Sequence, residues 1–161
     1  MEIREIKKGE LDFLWNFEKE NRKFDEEVLG DKFSPFYISE INEKEKKSWS
    51  DELKKSFKKS DVKIFVAEEK NKIVGYIWTN THFLEYLNPK KKVGYVNEMF
   101  VTKKFRGKGI STKLMVKSME WFKSQDIEYV SLCVFTGNKD AVEIYKKFGF
   151  ELFSGYMRKK I

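Results

Sequence analysis

The residues with the clearest chemical potential occupy one segment, EMFVTKKFRGKGIS, which runs from Glu98 to Ser111. The segment passes from an apolar strand pattern through a basic, glycine-containing turn into the start of an amphipathic helix. Backbone N–H groups at a helix N-terminus are unpaired and carry positive partial charge, and glycine lets the main chain approach a ligand closely. The segment lacks the spacing of a Walker A loop and the third glycine of a dinucleotide fingerprint. It predicts a phosphate-binding turn, with an ordinary surface turn as the alternative.

A second candidate group lies downstream, where Asn138 opens a predicted helix and Tyr145 follows seven residues later. Seven residues are about two helical turns, so both side chains lie on the same helix face. Gly149 ends this helix and Phe150 begins the next stretch. Considered alone, Asn138 is a helix cap and Tyr145 is a half-buried packing residue.

Hydrophobic periodicity predicts the elements that must position these residues. Strands are expected at Met1–Lys7, Val62–Ala67, Ile73–Thr79, Val93–Val101, Tyr129–Phe135 and Phe150–Arg158. Helices are expected from Glu10, from Ser39-Glu40 to Phe57, at Ile110–Lys123 and at Lys139–Phe148. Breaks, turns or loops are expected at Ser34-Pro35, at Glu69–Lys72, at Asn88-Pro89 with the three lysines that follow, and at Thr136–Asn138. The order indicates one domain, residues 1–161, of the α/β (α+β) class, with a mixed twisted sheet flanked by helices.

Composition excludes several classes of protein. The 161 residues are 40% hydrophobic and 16% aromatic, which rules out a disordered chain. No apolar run is long enough for a membrane span, and the charged N-terminus lacks the apolar stretch of a signal peptide, so we expect a cytoplasmic protein with no membrane partner. The single cysteine, Cys133, excludes an internal disulfide framework. The single histidine, His82, leaves too few soft ligands for zinc, and no metal is expected.

The charge of the chain is unevenly distributed. The formal net charge is +7, yet residues 1–50 hold 10 basic and 13 acidic residues, and residues 51–161 hold 23 and 13. The second part therefore carries a net +10, which favours an anionic ligand such as a nucleotide, a nucleic acid or a phosphorylated cofactor. The alternative is a solvated surface rich in lysine and glutamate.

Taken together, the two motifs resemble those of the GNAT superfamily of acetyl-CoA-dependent N-acetyltransferases. Arg106–Ser111 (RGKGIS) is similar to the family's Arg/Gln-x-x-Gly-x-Gly/Ala pyrophosphate motif, and Met99–Val101 occupies the strand run that precedes it. Asn138–Phe150 is similar to the closing Asn-x-x-Ala-x-x-x-Tyr-x-x-x-Gly-Phe signature. Ser111 stands where the family usually has Gly or Ala, and its side chain is small enough to fit. The resemblance is specific over residues 93–151.

This resemblance implies the GNAT acyl-CoA N-acyltransferase fold and an enzymatic activity. The expected reaction transfers the acetyl group of acetyl-CoA to a primary amine by direct attack in a ternary complex. The expected acceptor is a small molecule, a polyamine or a peptide N-terminus. Acetyl-CoA enters as a co-substrate, and the basic second part of the chain then has a physical reason, since coenzyme A brings several negative charges.

The resemblance also assigns roles to individual residues. The implied cofactor-binding residues are Met99, Phe100, Val101, Arg106, Gly107, Lys108, Gly109, Ile110, Ser111, Asn138 and Tyr145. The main chain at Phe100 and Val101 would bind the pantetheine arm, and the amides of the glycine turn would hold the pyrophosphate. Tyr145 matches the position that donates a proton to the CoA sulfur, with positioning of the sulfur as the alternative. Glu98 matches a carboxylate that takes a proton from the acceptor ammonium, with a solvent-facing or lysine-paired strand residue as the alternative.

The acceptor side is expected in the first third of the chain, at about Leu11–Phe57, because that part walls the acceptor pocket in the family. A group of acids predicts an acidic rim that attracts a cationic amine: Glu18, Glu20, Asp25, Glu26, Glu27 and Asp31. A group of aromatic residues is expected to form an apolar wall or lid: Trp15, Phe24, Phe33, Phe36 and Tyr37. The alternative is that these acids pair with lysines on a wet surface and that the aromatic rings belong to helix cores.

Cys133 is expected to be a buried core thiol, and His82 a plain polar residue with an acceptor-side base as its alternative. The rival function is a nucleic-acid-binding protein that uses the basic runs Lys90–Lys92, Lys103-Lys104 and Arg158–Lys160. Those runs lack interleaved exposed aromatic residues and a recognition helix, which argues against nucleic acid as a partner. A non-catalytic CoA-binding regulator is a further alternative, and a homodimer stays open.

Overall fold

The computed structural model describes residues 1–37, 40–84 and 88–159, and gives only the backbone of Phe36, Asn88 and Pro89. Five strands form one sheet in the order of the chain: β1 (Glu2–Glu5), β2 (Val62–Glu69), β3 (Lys72–Leu84), β4 (Asn88–Val101) and β5 (Val130–Leu132). The first four strands are antiparallel to their neighbours, whereas β5 runs parallel to β4. The predicted mixed sheet is therefore confirmed.

Four α-helices flank the sheet: α1 (Trp15–Tyr37), α2 (Glu43–Phe57), α3 (Ile110–Ser124) and α4 (Lys139–Lys147). A 3-10 helix, Lys8–Leu14, precedes α1, and a second one, Lys103–Phe105, precedes the glycine turn. Asn42 caps α2 by accepting the backbone N–H of Glu45. None of the helices in the described ranges is long and apolar enough to cross a membrane.

The two faces of the sheet are buried in two separate clusters. One cluster packs α3 on the sheet through Leu114, Met115 and Phe122, and the other packs the α1–α2 side through Leu14, Phe17 and Leu53. Strand β2 contributes alternate residues to each, with Phe65 on the α3 face and Ile64 and Val66 on the other. Because both faces are covered, the strand is apolar at nearly every position.

The predicted chain break at Ser34-Pro35 is wrong, since α1 continues through Pro35 to Tyr37. The break lies at Gly30 instead, whose φ of 64° and ψ of 174° interrupt the helix. Pro35 is the fifth of the seven residues in the helical segment that follows Gly30, and as a proline it has no backbone N–H to donate there. The predicted start of the second helix at Ser39 lies outside the described residues, and α2 begins at Glu43.

The predicted loop at Asn88-Pro89 and the following lysines is also wrong, because β4 already begins at Asn88. Its first residues pair with the end of β3, with Leu84 opposite Asn88 and Phe83 opposite Lys92. The hairpin is thus longer than its apolar pattern, because backbone pairing extends beyond the buried positions.

The predictions for the C-terminal strands are only partly correct. Strand β5 covers three residues rather than the seven of Tyr129–Phe135, and Tyr129 is 66% exposed. No strand is present between Phe150 and Lys159, where the side chains of Leu152, Phe153, Tyr156 and Met157 are 84–100% exposed. The alternating pattern of this segment is typical of a strand, but no neighbouring strand among the described residues pairs with it.

Candidate active site

The sheet opens between β4 and β5. The two strands pair only from Gly94–Val130 to Val96–Leu132 and then separate, while β4 continues to Val101. A cavity of about 640 Å³ lies between the separated strands and is lined by residues of β4, the glycine turn, α4 and α1. In the described part of the chain, the main chain of residues 97–101 has no strand partner on the β5 side. It therefore presents backbone hydrogen-bonding groups to the cavity.

A β-bulge in β4 changes the face of the sheet on which the following side chains lie. Trp78 lies opposite Glu98 and Thr79 lies opposite Val96, so Asn97 is the extra residue. Beyond the bulge, Met99 packs toward the α3 side, whereas Phe100 packs toward α1 against Phe17, with ring centroids 5.4 Å apart. Glu98 is on the α1 side with Phe100, since residues two apart on a strand share a face.

The glycine turn after β4 has the geometry of an anion-binding loop. Gly107 and Gly109 have φ values of 73° and 72°, in the left-handed region that favours glycine. Gly109 is the N-cap of α3, so the first N–H groups of that helix have no helical acceptor. The Nε of Arg106 donates to the carbonyl of Val101 at 2.9 Å, which ties the turn to the end of β4. The arrangement can hold a phosphate group at the mouth of the cavity.

Helix α4 supplies the opposite wall. Asn138 caps this helix, because its Oδ1 accepts the backbone N–H of Ala141 at 3.1 Å, and it also lines the cavity. Tyr145, two turns on, lines the same cavity and makes an edge-on contact with Phe150. Burial raises the pKa of the Tyr145 hydroxyl to about 12. This hydroxyl is therefore protonated at neutral pH and can donate a proton or a hydrogen bond.

Helix α1 brings an acidic group against Glu98. The Nδ2 of Asn21 donates to Oε1 of Glu98 at 3.3 Å, and the buried Glu18 lies one turn earlier on the same helix face. Glu18 is paired with Arg22, whose Nε donates to its Oε1 at 2.6 Å. The carboxyl of Glu98 is enclosed, and burial together with the nearby Glu18 raises its pKa well above the usual range. Glu98 therefore faces α1 and not bulk solvent.

Two further polar groups lie near Glu98. Asp25 lies one turn after Asn21 and lines the cavity, and partial burial together with the charge of Glu18 raises its pKa to about 6. The Tyr76 hydroxyl is fully buried and lies beside the carboxyl of Glu98. Burial, and then the neighbouring Glu98 and Glu18, raise its pKa well above the usual value.

Most of the site residues predicted from the sequence meet at this one cavity: Glu98, Met99, Phe100, Val101, Arg106, Gly107, Ile110, Ser111, Asn138 and Tyr145. Lys108 and Gly109 are not among its walls, and the Lys108 ammonium lies 4.9 Å from the Phe105 ring centroid. His82 is exposed and sits against Tyr95, away from the cavity. The prediction that Cys133 is a core thiol is wrong, because Cys133 is exposed and lines the cavity where β4 and β5 have separated.

Some of the residues predicted for the acceptor side line the cavity, and others do not. Of the six predicted rim acids, Asp25 alone lines the cavity; Glu18 is buried beside Arg22, and the others are exposed. Of the predicted aromatic residues, Phe24 lines the cavity, and Tyr37 contacts Phe135, which also lines it. Trp15 instead packs on Trp49, Phe33 is not a wall residue, and the side chain of Phe36 lies outside the described atoms.

Sequence reasoning missed Asn21 and Tyr76. Asn21 lies 77 positions from Glu98 in the chain, and nothing in its local pattern connects the two. Tyr76 sits in an apolar strand and looks like an ordinary core residue, so the position of its hydroxyl beside Glu98 is visible only in the folded chain. The spacing of Glu18, Asn21 and Asp25 along one helix face was the available signal.

Proteins with similar sequences and proteins with similar folds are known. Residues 13–150 match the model of the acetyltransferase (GNAT) family. An uncharacterised N-acetyltransferase of Methanocaldococcus jannaschii is 32% identical over 97% of this chain, and the chain spans 64% of that relative's length. A Bacillus halodurans protein superposes with a TM-score of 0.82 at 16% identity over the full length of both chains. A Clostridium acetobutylicum protein, described as a predicted acetyltransferase with acetyl-CoA, superposes at 0.73 with 20% identity over 99% of this chain and 95% of its own.

Proposed function

This chain belongs to the GNAT family of acetyltransferases, and from that premise we propose that it transfers the acetyl group of acetyl-CoA to the nitrogen of a primary amine. One observation carries the proposal. The open edge of β4, the glycine turn, the half-buried carboxyl of Glu98 and the protonated phenol of Tyr145 all line a single cavity of about 640 Å³. These are the four functions that direct acetyl transfer requires: donor binding, phosphate binding, proton removal and proton donation.

The donor half of the cavity fits the chemical parts of acetyl-CoA. The unpaired main chain of residues 97–101 can bind the amide-bearing pantetheine arm in the way a neighbouring strand would. A backbone N–H of this segment can also stabilise the negative charge that develops on the thioester oxygen. The amides of Arg106–Ser111 can bind a phosphate group at the N-terminus of α3, where Gly107 and Gly109 adopt left-handed φ values.

Glu98 is the proposed proton acceptor for the amine. A primary amine enters largely as an ammonium ion and must lose a proton before it can attack. The raised pKa of Glu98 brings this carboxyl closer to the pKa of the amine, which makes the transfer less uphill. The Asn21 amide holds the carboxyl in place. An incoming cation also favours the ionised form of Glu98, so the base is generated where it is needed.

Tyr145 is the proposed proton donor. The amine nitrogen forms a bond to the carbonyl carbon, the carbon–sulfur bond breaks, and the departing sulfur takes the phenolic proton. Because its pKa is about 12, Tyr145 is fully protonated at neutral pH and recovers its proton readily from solvent or from the acceptor side. No metal is needed for this sequence of bond changes.

The proposal is tested by coupled binding and turnover measurements. Acetyl-CoA should raise the melting temperature of the protein, and NAD and ATP should do so much less. A panel of primary amines, polyamines, aminoglycosides and peptides with free N-termini should then release CoA thiol only when protein, acetyl-CoA and an acceptor are all present. Equal stabilisation by the three nucleotides would contradict the donor assignment.

The alternatives give different results in the same measurements. A CoA-binding regulator would be stabilised by acetyl-CoA yet release no thiol with any acceptor. A nucleic-acid-binding protein would show salt-dependent retention on DNA or RNA and no melting shift with acetyl-CoA. One of its predicted phosphate contacts, Lys91, is engaged by Glu128 and is less available for such a role.

A further inference from the structure

Glu18 is a buried acid on α1 to which the proposed reaction gives no role. The residue is only 8% exposed, and its carboxyl lies within hydrogen-bonding reach of the Glu98 carboxyl. Asn21, one turn further along the same helix face, donates its amide to Oε1 of Glu98 at 3.3 Å. The side chain of Glu98 therefore meets an amide and a second carboxyl on one face of α1.

Arg22 holds Glu18 in place. Its Nε donates to Oε1 of Glu18 at 2.6 Å, and the side chains of Arg22 and Glu18 are only 14% and 11% exposed. The guanidinium also lies 3.8 Å from Oε2 of Glu45 on α2 and 5.3 Å from the ring centroid of Trp15. Contacts on three sides fix the guanidinium, and an opposite charge at this distance favours the ionised form of a carboxyl.

Two carboxyl groups in contact do not both ionise readily, because their charges repel each other. Since Arg22 neutralises Glu18, a proton retained by the pair resides on Glu98. Burial and then Glu18 are the main reasons why the pKa of Glu98 is raised, and Asp25 adds to them, whereas the Tyr76 hydroxyl acts in the opposite direction. Glu18 is not among the residues that line the cavity, so its charge can be removed without changing the cavity wall.

Other charged or titratable groups surround Glu98 on several elements. The Arg106 guanidinium lies over the rings of Phe24 and Phe100, at 5.3 and 5.7 Å from their centroids. A substitution at Glu18 replaces none of these groups. They are Asp25 on α1, Tyr76 on β3, Arg106 in the glycine turn, and Asp140, Glu143, Tyr145 and Lys147 on α4 across the cavity.

We propose that Glu18, held in place by Arg22, is a positioning residue that sets the pH range in which Glu98 accepts a proton from the amine. This inference rests on the proposed function, because it concerns the proton acceptor of that same reaction. One proton passes from the ammonium to Glu98, and the freed lone pair of the nitrogen attacks the thioester carbon. Glu18 exchanges no proton with the substrate. At a pH where Glu98 still holds its own proton, the ammonium has no acceptor and turnover stops.

The test is the pH dependence of kcat/KM at saturating acetyl-CoA, from pH 5 to pH 9, with the primary amine that releases most CoA thiol in the panel. The same amine is used for every protein, so its own ionisation contributes equally. The wild-type kcat/KM should rise with pH to a plateau. In Glu18→Gln the rise should occur at lower pH. One pH unit below the wild-type midpoint, the variant should retain about five- to tenfold more of its own plateau value than the wild type does.

Three further variants complete the experiment. The matched control is Glu20→Gln, which removes a negative charge from an exposed position two residues away on α1 and should leave the midpoint unchanged. Glu18→Asp keeps a carboxylate and should stay closer to the wild-type midpoint than Glu18→Gln does. If Glu18→Gln does not fold, the double variant Glu18→Gln with Arg22→Gln removes the pair without leaving a buried charge unpaired. Its midpoint should move in the same direction.

Each other outcome has a definite meaning. An unchanged midpoint in an active Glu18 variant overturns the inference and leaves the proposed function intact, because burial then accounts for Glu98 without Glu18. An equal loss of kcat/KM at every pH also overturns the inference, because that pattern reports a structural defect. Binding of acetyl-CoA without thiol release from any amine of the panel overturns the proposed function and this inference with it.

Discussion

The substitution Asp25→Asn should raise the free energy of unfolding at neutral pH and leave it unchanged at acidic pH. Asp25 has an ordinary pKa of 3.8 in the unfolded chain and about 6 in the folded protein, because burial and Glu18 disfavour its ionised form. Between these two values the folded protein binds more protons than the unfolded chain, so stability falls as the pH rises through that window. Asp25→Asn abolishes this loss.

The expected gain in the free energy of unfolding follows from the pKa shift of Asp25. About two pKa units at 1.36 kcal/mol each give an upper limit of about 3 kcal/mol. Asp25 is only partly buried, and solvent screening reduces the expected gain to about 1 to 2 kcal/mol at pH 7 to 8. For a chain of 161 residues this corresponds to a rise in Tm of about 2 to 8 °C. Below about pH 4 both side chains are neutral and the gain should vanish.

The assay is thermal unfolding by circular dichroism at half-unit steps from pH 4 to pH 8, for the wild type, Asp25→Asn and Glu26→Gln. We expect the Tm of Asp25→Asn to diverge from the wild-type value between pH 4 and pH 6 and to stay above it at higher pH. Glu26→Gln should show no such divergence, since Glu26 is exposed. A Tm difference that is constant with pH, or a destabilised Asp25→Asn at pH 8, would refute the account of Asp25 as a carboxylate held at a cost.

Three further predictions concern catalysis and donor binding. Glu98→Gln keeps the Asn21 contact but removes the proton acceptor, so kcat should fall by about 10²- to 10⁴-fold. The wild-type kcat/KM should rise with pH through a pKa above the ordinary carboxyl range, and this rise should disappear in the variant. A wild-type kcat in the variant would contradict the role of Glu98 as proton acceptor. Tyr145→Phe keeps the ring and removes the hydroxyl, so kcat should fall by about 10- to 100-fold at unchanged acetyl-CoA affinity, whereas an unchanged kcat would leave Tyr145 a packing residue. Gly109→Ala places a side chain at a φ of 72°, at a strain of about 1 to 2 kcal/mol, and should weaken acetyl-CoA binding about tenfold in calorimetric titration. The control is Gly9→Ala, where the added methyl group meets open space, and it should leave this binding unchanged. Equal effects of the two substitutions would exclude the glycine turn from acetyl-CoA binding.

The donor half of the site was predictable because its signals are local. The glycine turn and the helix that follows it are contiguous from Arg106 onward, and Asn138 and Tyr145 are two turns apart on one helix. Local geometry fixes such residues relative to one another, so spacing in the sequence is spacing in the structure. The hairpin of β2 and β3 was predictable for the same reason, since alternation and a turn specify it.

The acceptor half was not predictable in detail, because long-range packing builds it. The contact between Asn21 and Glu98 spans 77 positions, and the break in α1 lies at Gly30 rather than at the proline. The acid-rich stretch of α1 indicated a negative charge, but only the fold selects Asp25 from among its neighbours. The C-terminal error has a related origin, because an alternating pattern becomes a strand only where a partner edge is available.

The most direct test of the central claim is the identity of the product. Wild-type protein, acetyl-CoA and the primary amine that releases most CoA thiol in the panel are incubated together, and the amine is analysed by mass spectrometry while the released CoA is measured as free thiol. We expect one acetylated amine for each CoA released, with almost none of either formed by the Glu98→Gln variant. Release of CoA without an acetylated amine, or equal product from the two proteins, would contradict direct acetyl transfer at this cavity.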